Sequence, residues 1–484
     1  MDMEGNTGRQ RRPRARERES VPNGGLEESQ ACSQEGTLHS LWPVLYLLPG
    51  HGLQPRSGKL FYCGPLLLQG VRYLCERMPH WSDLHGGGGG GEIMGKRVGM
   101  EVSIAAAEAV KQAGVDVISA YPITPQTHIV EHLSELVANG EMDAEFFCVE
   151  SEHSALSVCV GSEATGARSF TCTSSQGLAL MSEITYIASG LRLPIVMILS
   201  NRTLSAPLSI WNDHSDAMSI RDCGWIQFFT ENGQEVYDHV FISYRLAEDR
   251  DVLLPVIINM DGFTLSHVIE PFEMIEQEKI DQFLPPYQPL YSLHPDHPIT
   301  MGAFALPGIF AETKKVQEVA MWSSMPKILE TWKAFGDMTG RYYKPIETYR
   351  AEDAETLLVT MGSFGETASV AVDMMRKEGR SVGLVKIRLW RPFPFDEFKR
   401  ASLGAKRMVV IDRAVSVGGP GGPVASELRS ALYGTDNRPT IYNFVAGISG
   451  RDVTPSDYIK MVDKAETEIE EGNKEGYEIY GVRE

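Results

Sequence analysis

The period with which apolar residues recur changes several times between residues 94 and 266. Short runs of consecutive apolar residues are typical of strands buried on both faces, whereas apolar residues at every third or fourth position are typical of amphipathic helices. The short runs predict strands at Val115–Ala120, Ser169–Thr173, Ile195–Ser200 and Pro255–Met260. Helical stretches lie between them, at His128–Ala138, Ser154–Thr165, Leu178–Ser189 and Val236–Leu246. This alternation predicts an α/β domain with a mainly parallel sheet covered on both faces.

A second series of the same kind begins at residue 355. Its predicted strands are Thr356–Met361, Ser381–Arg388, Met408–Asp412 and Thr440–Val445, and its helices end at Lys377 and Leu432. The segment 267–351 between the two series has weak periodicity and many proline, tyrosine and methionine residues. We expect it to form an extended arm or linker that packs over the domains, because it is too apolar for a free linker.

Residues 1–93 show no sustained period of either kind. They contain a basic, proline-containing run at 11–18 and a six-glycine tract at 86–91. Such a composition is typical of a disordered segment. A second interpretation is that the protein starts at Met94, because Gly-Gly-Gly-Glu shortly before a methionine resembles a translated ribosome-binding site.

The composition is that of an ordinary globular protein, with 43% hydrophobic and 23% charged residues in a chain of 484. The net charge of −19 argues against nucleic-acid binding as the main function. Seven scattered cysteines with no Cys-x-x-Cys pair fit neither a zinc site nor an iron–sulfur ligand set. They indicate reduced thiols and a cytoplasmic location. No apolar run reaches the ~18 residues that a membrane helix requires.

The most distinctive local sequence is Tyr-Pro-Ile-Thr-Pro-Gln-Thr at 121–127, directly after the first predicted strand. Its two prolines fix their own φ angles and favour extended geometry in the residues before them. Thr124 is therefore held on a stiff turn at the carboxyl end of a strand, the edge where open α/β sheets bind ligands. The alternative is a structural turn in which Thr124 or Thr127 only caps the next helix.

Two charged residues are expected at the same sheet edge. Glu152 follows the short apolar stretch 146–149 and opens a helix of small apolar residues. It is either a helix-capping carboxylate or a shielded acid/base group. Arg202 follows the strand that ends at Ser200, where it either offers a bidentate fork to a carboxylate or forms a surface salt bridge.

Two further motifs are predicted to be structural. The run Asn-Asp-His-Ser-Asp at 212–216 has the composition of a loop, so turn formation and helix capping are favoured and no metal is assigned to it. The glycine-rich loop at 418–423 lacks the spacing of a phosphate-binding loop and contains two prolines. A tight turn between a strand and a helix is the favoured interpretation.

Taken in order, the motifs of this chain resemble those of the α subunit of the 2-oxoacid:ferredoxin oxidoreductases, most closely the pyruvate:ferredoxin oxidoreductases. The resemblance extends from about Met94 to the C-terminus. The motifs that carry it are Tyr121–Pro125, Ser151-Glu152, Thr173–Gly177, Asn201-Arg202, Asp213-His214 and Asp261–Phe263.

The resemblance implies a thiamine-diphosphate enzyme of α/β class. Residues 94–266 would form its doubly wound pyrimidine-binding domain, and residues 352–484 a transketolase C-terminal-like domain. Glu152 would be the catalytic glutamate that contacts N1′ of the aminopyrimidine. Thr124 and Arg202 would hold the carbonyl and the carboxylate of the substrate.

The resemblance also implies partner chains, because some parts of the family's machinery are absent from this sequence. It contains no Gly-Asp-Gly followed by an asparagine, the motif that binds Mg²⁺ and the diphosphate, and no cysteine set for [4Fe–4S] clusters. We therefore expect a β subunit with the diphosphate and Mg²⁺ site, a γ subunit and a ferredoxin-like δ subunit, with iron–sulfur clusters on the partner chains. No metal is expected on this chain.

The implied reaction converts pyruvate, coenzyme A and oxidised ferredoxin to acetyl-CoA, CO2 and reduced ferredoxin. Branched-chain 2-oxoacids or 2-oxoglutarate are alternative substrates. An alternative of another class is a non-catalytic scaffold subunit with the same fold, against which the presence of both Glu152 and Arg202 argues. A nicotinamide-linked dehydrogenase is disfavoured because a dinucleotide fingerprint is missing.

Overall fold

A computed structural model of the chain describes residues 96–473 and 476–483, which belong to a single unit of the fold. The two predictions for residues 1–93, a disordered segment or a start at Met94, lie outside these residues. None of the helices in the described part is long and apolar enough to cross a membrane.

The strands and helices alternate through both halves of the described chain. In the first half the strands are β1 (Arg97–Glu101), β2 (Val117–Ala120), β3 (Glu145–Cys148), β4 (Ser169–Thr173), β5 (Val196–Asn201), β6 (Ile226–Phe229), β7 (Val256–Asp261) and β8 (Ile269–Glu273). The helices are α1 (Val102–Gln112), α2 (Thr127–Ala138), α3 (Glu152–Thr165), α4 (Ser175–Gly190), α5 (Ser215–Ser219), α6 (Gly233–Ala247), α7 (Gln277–Phe283) and α8 (Pro307–Thr339).

The second half has the same character. Its strands are β9 (Ile346–Tyr349), β10 (Thr356–Met361), β11 (Val382–Ile387), β12 (Leu389–Arg391), β13 (Arg407–Asp412), β14 (Thr440–Val445) and β15 (Tyr477–Ile479). Its helices are α9 (Phe364–Lys377), α10 (Phe395–Ala401), α11 (Pro423–Leu432) and α12 (Pro455–Glu470). The predicted strands and helices of both series are confirmed, with ends that differ by at most three residues from the predictions.

Two large sheets organise these elements. The first has the order β12-β6-β7-β5-β4-β2-β3 and is parallel except for the pairing of β12 with β6. The second has the order β15-β14-β13-β10-β11-β9, in which only the edge pair β9–β11 is antiparallel. One apolar core contains side chains from both, such as Leu199 of β5 and Val359 of β10. The two sheets therefore share buried surface. In addition, β12, which belongs to the second half of the chain, pairs with β6 of the first sheet.

The segment 267–351 differs from the extended arm that the sequence predicts. It contains the 33-residue helix α8, the strands β8 and β9 and the short helix α7. Pro307 begins α8 in the first helical position, where a missing N–H is tolerated, and Pro326 lies within the helix. Its deeply buried residues are concentrated from Ala320 onwards, whereas apolar residues of its first half, such as Ile309 and Val316, are exposed.

The glycine-rich loop at 418–423 is a strand-to-helix turn, as predicted. Both carboxylate oxygens of Asp412 accept backbone N–H groups of α11, from Val424 at 2.8 Å and from Ala425 at 3.1 Å. The N-terminus of this helix is therefore capped by a side chain of the preceding strand, which leaves those N–H groups unavailable to a phosphate.

Candidate active site

The first sheet changes direction between β2 and β4. The chain passes from β2 outwards to β3, then returns to the other side of β2 to form β4. Such a reversal opens a crevice at the carboxyl ends of the strands, where α/β sheets bind ligands. The segments that leave these strand ends are 121–126 after β2, 149–151 after β3 and Ser174 after β4. The motif at 121–127, Glu152 and the motif at 173–177 therefore lie at one edge of the sheet.

The loop after β2 is fixed by a buried glutamine. Gln126 is fully buried and donates its side-chain Nε2–H to the carbonyl of Tyr121 at 2.8 Å. Its backbone N–H donates to the carbonyl of Ile123 at 3.0 Å, which closes the turn. Thr124 lies at the apex of this turn and is exposed. The threonine is therefore held exposed on a rigid turn after β2, and it does not cap α2.

Arg202 contacts the same loop. Its Nη1 donates to the backbone carbonyl of Thr124 at 2.9 Å, and its Nε donates to the carbonyl of Ser209 at 2.9 Å. Within the described residues, Nη2 makes no hydrogen bond or ion pair, so this part of the fork is available to an anion. Burial lowers the pKa of the guanidinium, an effect that the nearby Asp216 opposes. The structure thus places Thr124 and Arg202 side by side, and the alternative role of Arg202, a surface salt bridge, is not found in the described part of the chain.

Asp216 holds this arrangement together, although no functional role is predicted for it from the sequence. It is fully buried in α5 and accepts the backbone N–H groups of Ser175 at 3.1 Å, Arg202 at 2.9 Å and Ala217 at 2.8 Å. It also accepts from the side-chain amide of Asn201 at 3.1 Å. Burial raises the pKa of Asp216 to about 7, while the donors act in the opposite direction. One carboxylate therefore ties the ends of β4 and β5 together.

Glu152 is the first residue of α3 and is 7% exposed. The helix is capped by Ser151, whose Oγ accepts the N–H of Ser154, so the Glu152 side chain is not needed as the cap. In the described part of the chain, no hydrogen bond or ion pair reaches its carboxylate. The side chain faces Gly177 of α4, where an added methyl group would lie 2.7 Å from Glu152 Oε1 and even closer to Thr173 Oγ1. Glycine is thus required for this approach of the two helices.

Other polar groups at this edge are also unpartnered. The hydroxyls of Thr173 and Ser174 and the amide Nε2 of Gln176 are buried and make no hydrogen bond to other described residues. Buried polar groups without a partner are rare and call for a ligand or water. Together with Glu152, they offer both donors and acceptors to a flat, polar aromatic ring such as an aminopyrimidine. The residues present therefore fit the pyrimidine half of thiamine diphosphate.

A buried charge cluster lies where the carboxyl ends of both sheets meet. Asp261, at the end of β7, accepts from His214 Nε2 at 2.9 Å and from Arg413 Nη1 at 2.6 Å. The backbone N–H of Ser363 donates to its second oxygen at 2.9 Å. Burial alone would raise the pKa of Asp261, but Arg413 and His214 outweigh burial and hold the pKa well below its usual range. His214 and Asp261, one residue from each of two motifs, thus have a structural explanation that requires no ligand.

Gly177→Ala should disrupt the pocket around Glu152. The new methyl group would overlap Thr173 Oγ1 and Glu152 Oε1, so the carboxylate must move away. We expect about 5- to 150-fold weaker binding of thiamine diphosphate by the assembled protein, as measured by calorimetric titration, because repositioning one polar group costs about 1–3 kcal/mol. Gly190→Ala, at the last position of the same helix, meets nothing within 4 Å and is the matched control. Equal affinities of the two variants would contradict the role of Gly177.

Two family models match the chain. The thiamine-diphosphate-binding domain of pyruvate flavodoxin/ferredoxin oxidoreductases matches residues 108–331, and core domain II of pyruvate:ferredoxin oxidoreductase matches residues 354–458. Pyruvate synthase subunit PorA of Methanothermobacter thermautotrophicus is 48% identical over 362 residues, which are 75% of this chain and 93% of that protein. The chain belongs to the 2-oxoacid:ferredoxin oxidoreductase family, as an α subunit.

Relatives named for other substrates are also similar to this α subunit. The ketoisovalerate oxidoreductase subunit VorA of Pyrococcus horikoshii is 45% identical over 370 residues, 76% of this chain and 93% of that one. A solved 2-oxoglutarate:ferredoxin oxidoreductase from Magnetococcus marinus has the same fold, with a TM-score of 0.58 and 19% identity. That alignment covers 77% of this chain and 65% of the Magnetococcus chain. The predicted family and the thiamine-diphosphate-binding α/β fold are thereby confirmed.

Proposed function

We propose that this α subunit supplies the pyrimidine half of a thiamine-diphosphate site and takes part in the oxidative decarboxylation of pyruvate. The observation that carries the proposal is the unpaired, nearly buried carboxylate of Glu152 at the topological switch of the first sheet. A buried carboxylate without a partner is costly in a folded chain, so it indicates that a partner arrives with the ligand. The similarity to a pyruvate synthase subunit, which extends over 75% of the chain, supports the choice of pyruvate.

Glu152 would hold and exchange a proton at N1′ of the pyrimidine. Thiamine diphosphate, when bound, supplies the carbon nucleophile that this reaction needs. The protein contributes the carboxyl group, held on the first turn of α3 by the cap at Ser151 and by the fit against Gly177. Because Glu152 is nearly buried, a hydrogen bond from its carboxyl group to the ring would be stronger than the same bond in solvent.

Arg202 and Thr124 would orient the 2-oxoacid. The guanidinium is anchored by backbone carbonyls through Nε and Nη1, which leaves Nη2 for the substrate carboxylate. Thr124 lies next to it and offers a hydroxyl donor to the carbonyl oxygen. Since one side of the fork is fixed by the protein itself, the substrate is positioned without being held by the full strength of a bidentate pair.

The rest of the enzyme would come from partner chains. We propose a β subunit that binds Mg²⁺ and the diphosphate, a γ subunit, and a ferredoxin-like δ subunit with [4Fe–4S] clusters that pass electrons to ferredoxin. The relatives' names support a subunit role, since both PorA and VorA are named as subunits. We further propose a cytoplasmic complex. In this chain residues 94–266 would be the pyrimidine-binding domain, 267–351 a connecting segment and 352–484 the transketolase C-terminal-like domain.

Substrate choice is tested by reconstitution with partner chains. The chain should be co-expressed with the products of the neighbouring genes, and viologen reduction measured with pyruvate, 2-oxoisovalerate and 2-oxoglutarate, each with and without coenzyme A. Pyruvate and coenzyme A together should give the highest kcat/KM. A preference for either of the other 2-oxoacids would support the corresponding alternative. A complex that assembles without activity on any of them would support the scaffold function.

Arg202→Lys should raise KM for the 2-oxoacid by about 10- to 100-fold with a smaller change in kcat. A lysine provides a point charge in place of a planar fork, and loss of a charged hydrogen bond costs about 1.5–3 kcal/mol. Arg192→Lys is the matched control, because Arg192 precedes the same strand at its opposite end and also donates to two backbone carbonyls. An unchanged KM in Arg202→Lys would contradict the carboxylate role.

A further inference from the structure

Three potential metal ligands that play no part in the candidate active site meet in the fold. Glu101 ends β1, His128 lies in the first turn of α2, and His267 lies between β7 and β8. Their ligand atoms all lie within 4.8 Å of one another, and this is the one such group of three found among the described residues. The three residues come from separate parts of the chain, so only the fold brings them together.

The geometry within this group is close and open to solvent on one side. The rings of His128 and His267 have centroids 4.4 Å apart with a tilt of 38°. His128 Nδ1 lies 2.6 Å from Glu101 Oε1, and the two side chains are 40% and 24% exposed. A tetrahedral ion with bonds of about 2.0–2.1 Å places its ligand atoms about 3.4 Å apart, so a modest rotation of the half-exposed His128 closes the set.

A hydrogen bond behind His267 favours one ring nitrogen as the ligand. Its Nδ1 lies 2.7 Å from Ser266 Oγ, which also accepts the backbone N–H of Phe263 at 2.9 Å. A serine oxygen has two lone pairs, so it accepts from both groups when Nδ1 carries the proton. Nε2 is then free to bind a metal. Metal-binding histidines characteristically donate their second ring N–H to such a partner.

A second histidine–carboxylate pair, between α1 and α2, provides a contrast. His132 Nε2 lies 2.8 Å from Glu108 Oε1. His132 is four residues after His128, and Glu108 is seven residues after Glu101. No third ligand of the required type joins this pair in the described part of the chain. An ordinary helix–helix hydrogen bond accounts for His132 and Glu108 fully, whereas it does not account for the second imidazole beside His128.

We propose that Glu101, His128 and His267 bind a divalent transition-metal ion of the zinc class, with solvent in the remaining position. Two imidazoles and one carboxylate suit Zn²⁺, Co²⁺, Ni²⁺ and Fe²⁺, and disfavour Mg²⁺ and Ca²⁺, which prefer oxygen ligands. The ion joins β1, α2 and the β7–β8 connection. Because α2 begins directly after the loop that carries Thr124, the bound ion stiffens the support of that loop. The proposal does not depend on the substrate or on the role of Glu152.

The test uses the full chain, freed of metal with a chelator and dialysed against Zn²⁺ alone. The wild-type chain should bind one equivalent more than His128→Gln or His267→Gln, and His132→Gln should bind as much as the wild type. Co²⁺ should give a visible absorption band in the wild type and in His132→Gln that both site variants lose. The difference between variants excludes zinc held by cysteines, since these are the same in all chains.

Thermal unfolding separates metal binding from a folding defect. Zn²⁺ should raise the Tm of the wild type and of His132→Gln by a few degrees, because it binds the folded chain, and leave the Tm of His128→Gln unchanged. The apo forms of the wild type and His128→Gln should unfold at similar temperatures, since His128 is half-exposed. Equal zinc content and equal Tm shifts in the wild type and both site variants would overturn the proposal, as would the absence of zinc from the wild type.

Discussion

Glu152→Gln is expected to lower the kcat for pyruvate-dependent acceptor reduction by about 10²-fold or more in the reconstituted complex. Glutamine keeps the size of the side chain and its fit against Gly177, but it has no titratable proton to exchange with the pyrimidine ring. General acid–base catalysis by a positioned side chain typically contributes roughly 10²–10⁴-fold. Viologen reduction under saturating pyruvate and coenzyme A is the measurement.

Glu150→Gln is the matched control for this experiment. Glu150 lies two residues earlier, before the cap of α3, and it is exposed and bonded to Ser154. Its replacement should leave both the stability and kcat close to those of the wild type, since surface substitutions usually change stability little and Glu150 is not part of the candidate site. If the Glu152→Gln complex keeps the wild-type rate, or if both variants lose activity equally, then Glu152 does not exchange the proton. Unchanged thermal stability of Glu152→Gln would show that a loss of rate is chemical.

The second large effect concerns stability. Asp261→Asn should lower the free energy of unfolding by about 3–5 kcal/mol, because it leaves Arg413 and its charge buried without the carboxylate. Both side chains are at most 2% exposed, so water does not replace the lost partner. The cluster joins the two sheets, and the loss should therefore appear as a lower midpoint of urea unfolding for the whole unit. Tryptophan fluorescence of the full chain is a suitable signal.

The dependence of this effect on pH has a definite sign. The pKa of Asp261 is depressed in the folded chain, so its ionisation stabilises the fold fully above the unfolded pKa of about 3.9. That stabilisation is lost only as the pH falls below this value towards the folded pKa. The difference between the wild type and Asp261→Asn should thus not decrease between about pH 8 and about pH 5, since burial lowers the pKa of His214 but Asp261 raises it, and any protonation of His214 adds to the difference. A difference that disappears already at about pH 6 would indicate that another group is responsible.

An exposed ion pair gives the comparison for Asp261. Glu355→Gln breaks the contact with Lys406 at 2.7 Å, where both side chains are more than half exposed. Water and salt compensate such a loss, so we expect a change in the free energy of unfolding far smaller than that of Asp261→Asn. A loss as large as that of Asp261→Asn would show that burial is not what makes the cluster important.

Several elements were predictable because local sequence determines them. The β4 strand, Ser169–Thr173, and the β10 strand, Thr356–Met361, have the predicted ends, since each is a short, fully buried run that contains β-branched residues typical of strands. The position of Thr124 on a stiff turn was predictable from its flanking prolines. The C-terminal strand β15 was missed, because three residues without an apolar run acquire strand geometry only by pairing with β14. The half-exposed helix α8 was missed for the related reason that its apolar residues do not form one stripe.

Some residues of the candidate site could also be identified from the sequence, whereas others could not. Glu152, Thr124 and Arg202 could be selected from the sequence because each follows a predicted strand, and parallel strands place their carboxyl ends at one edge. The roles of Asp216 and Gly177 could not be assigned from the sequence. Asp216 accepts hydrogen bonds from several backbone N–H groups, and Gly177 leaves space for the Glu152 side chain. Both roles depend on distances between residues that are far apart in the sequence. The group formed by Glu101, His128 and His267 is of the same kind.

The sequence by itself determined the family, the alternation of strands and helices and the residues at the edge of the first sheet, because these depend on residue type and short-range order. The tertiary structure decided which of those residues meet. Arg202 reaches the carbonyl of Thr124 across 78 positions of the chain, and Asp261 pairs with Arg413 across 152. Contacts of that kind depend on the order of strands in the sheet and on close packing between helices, and local sequence specifies neither.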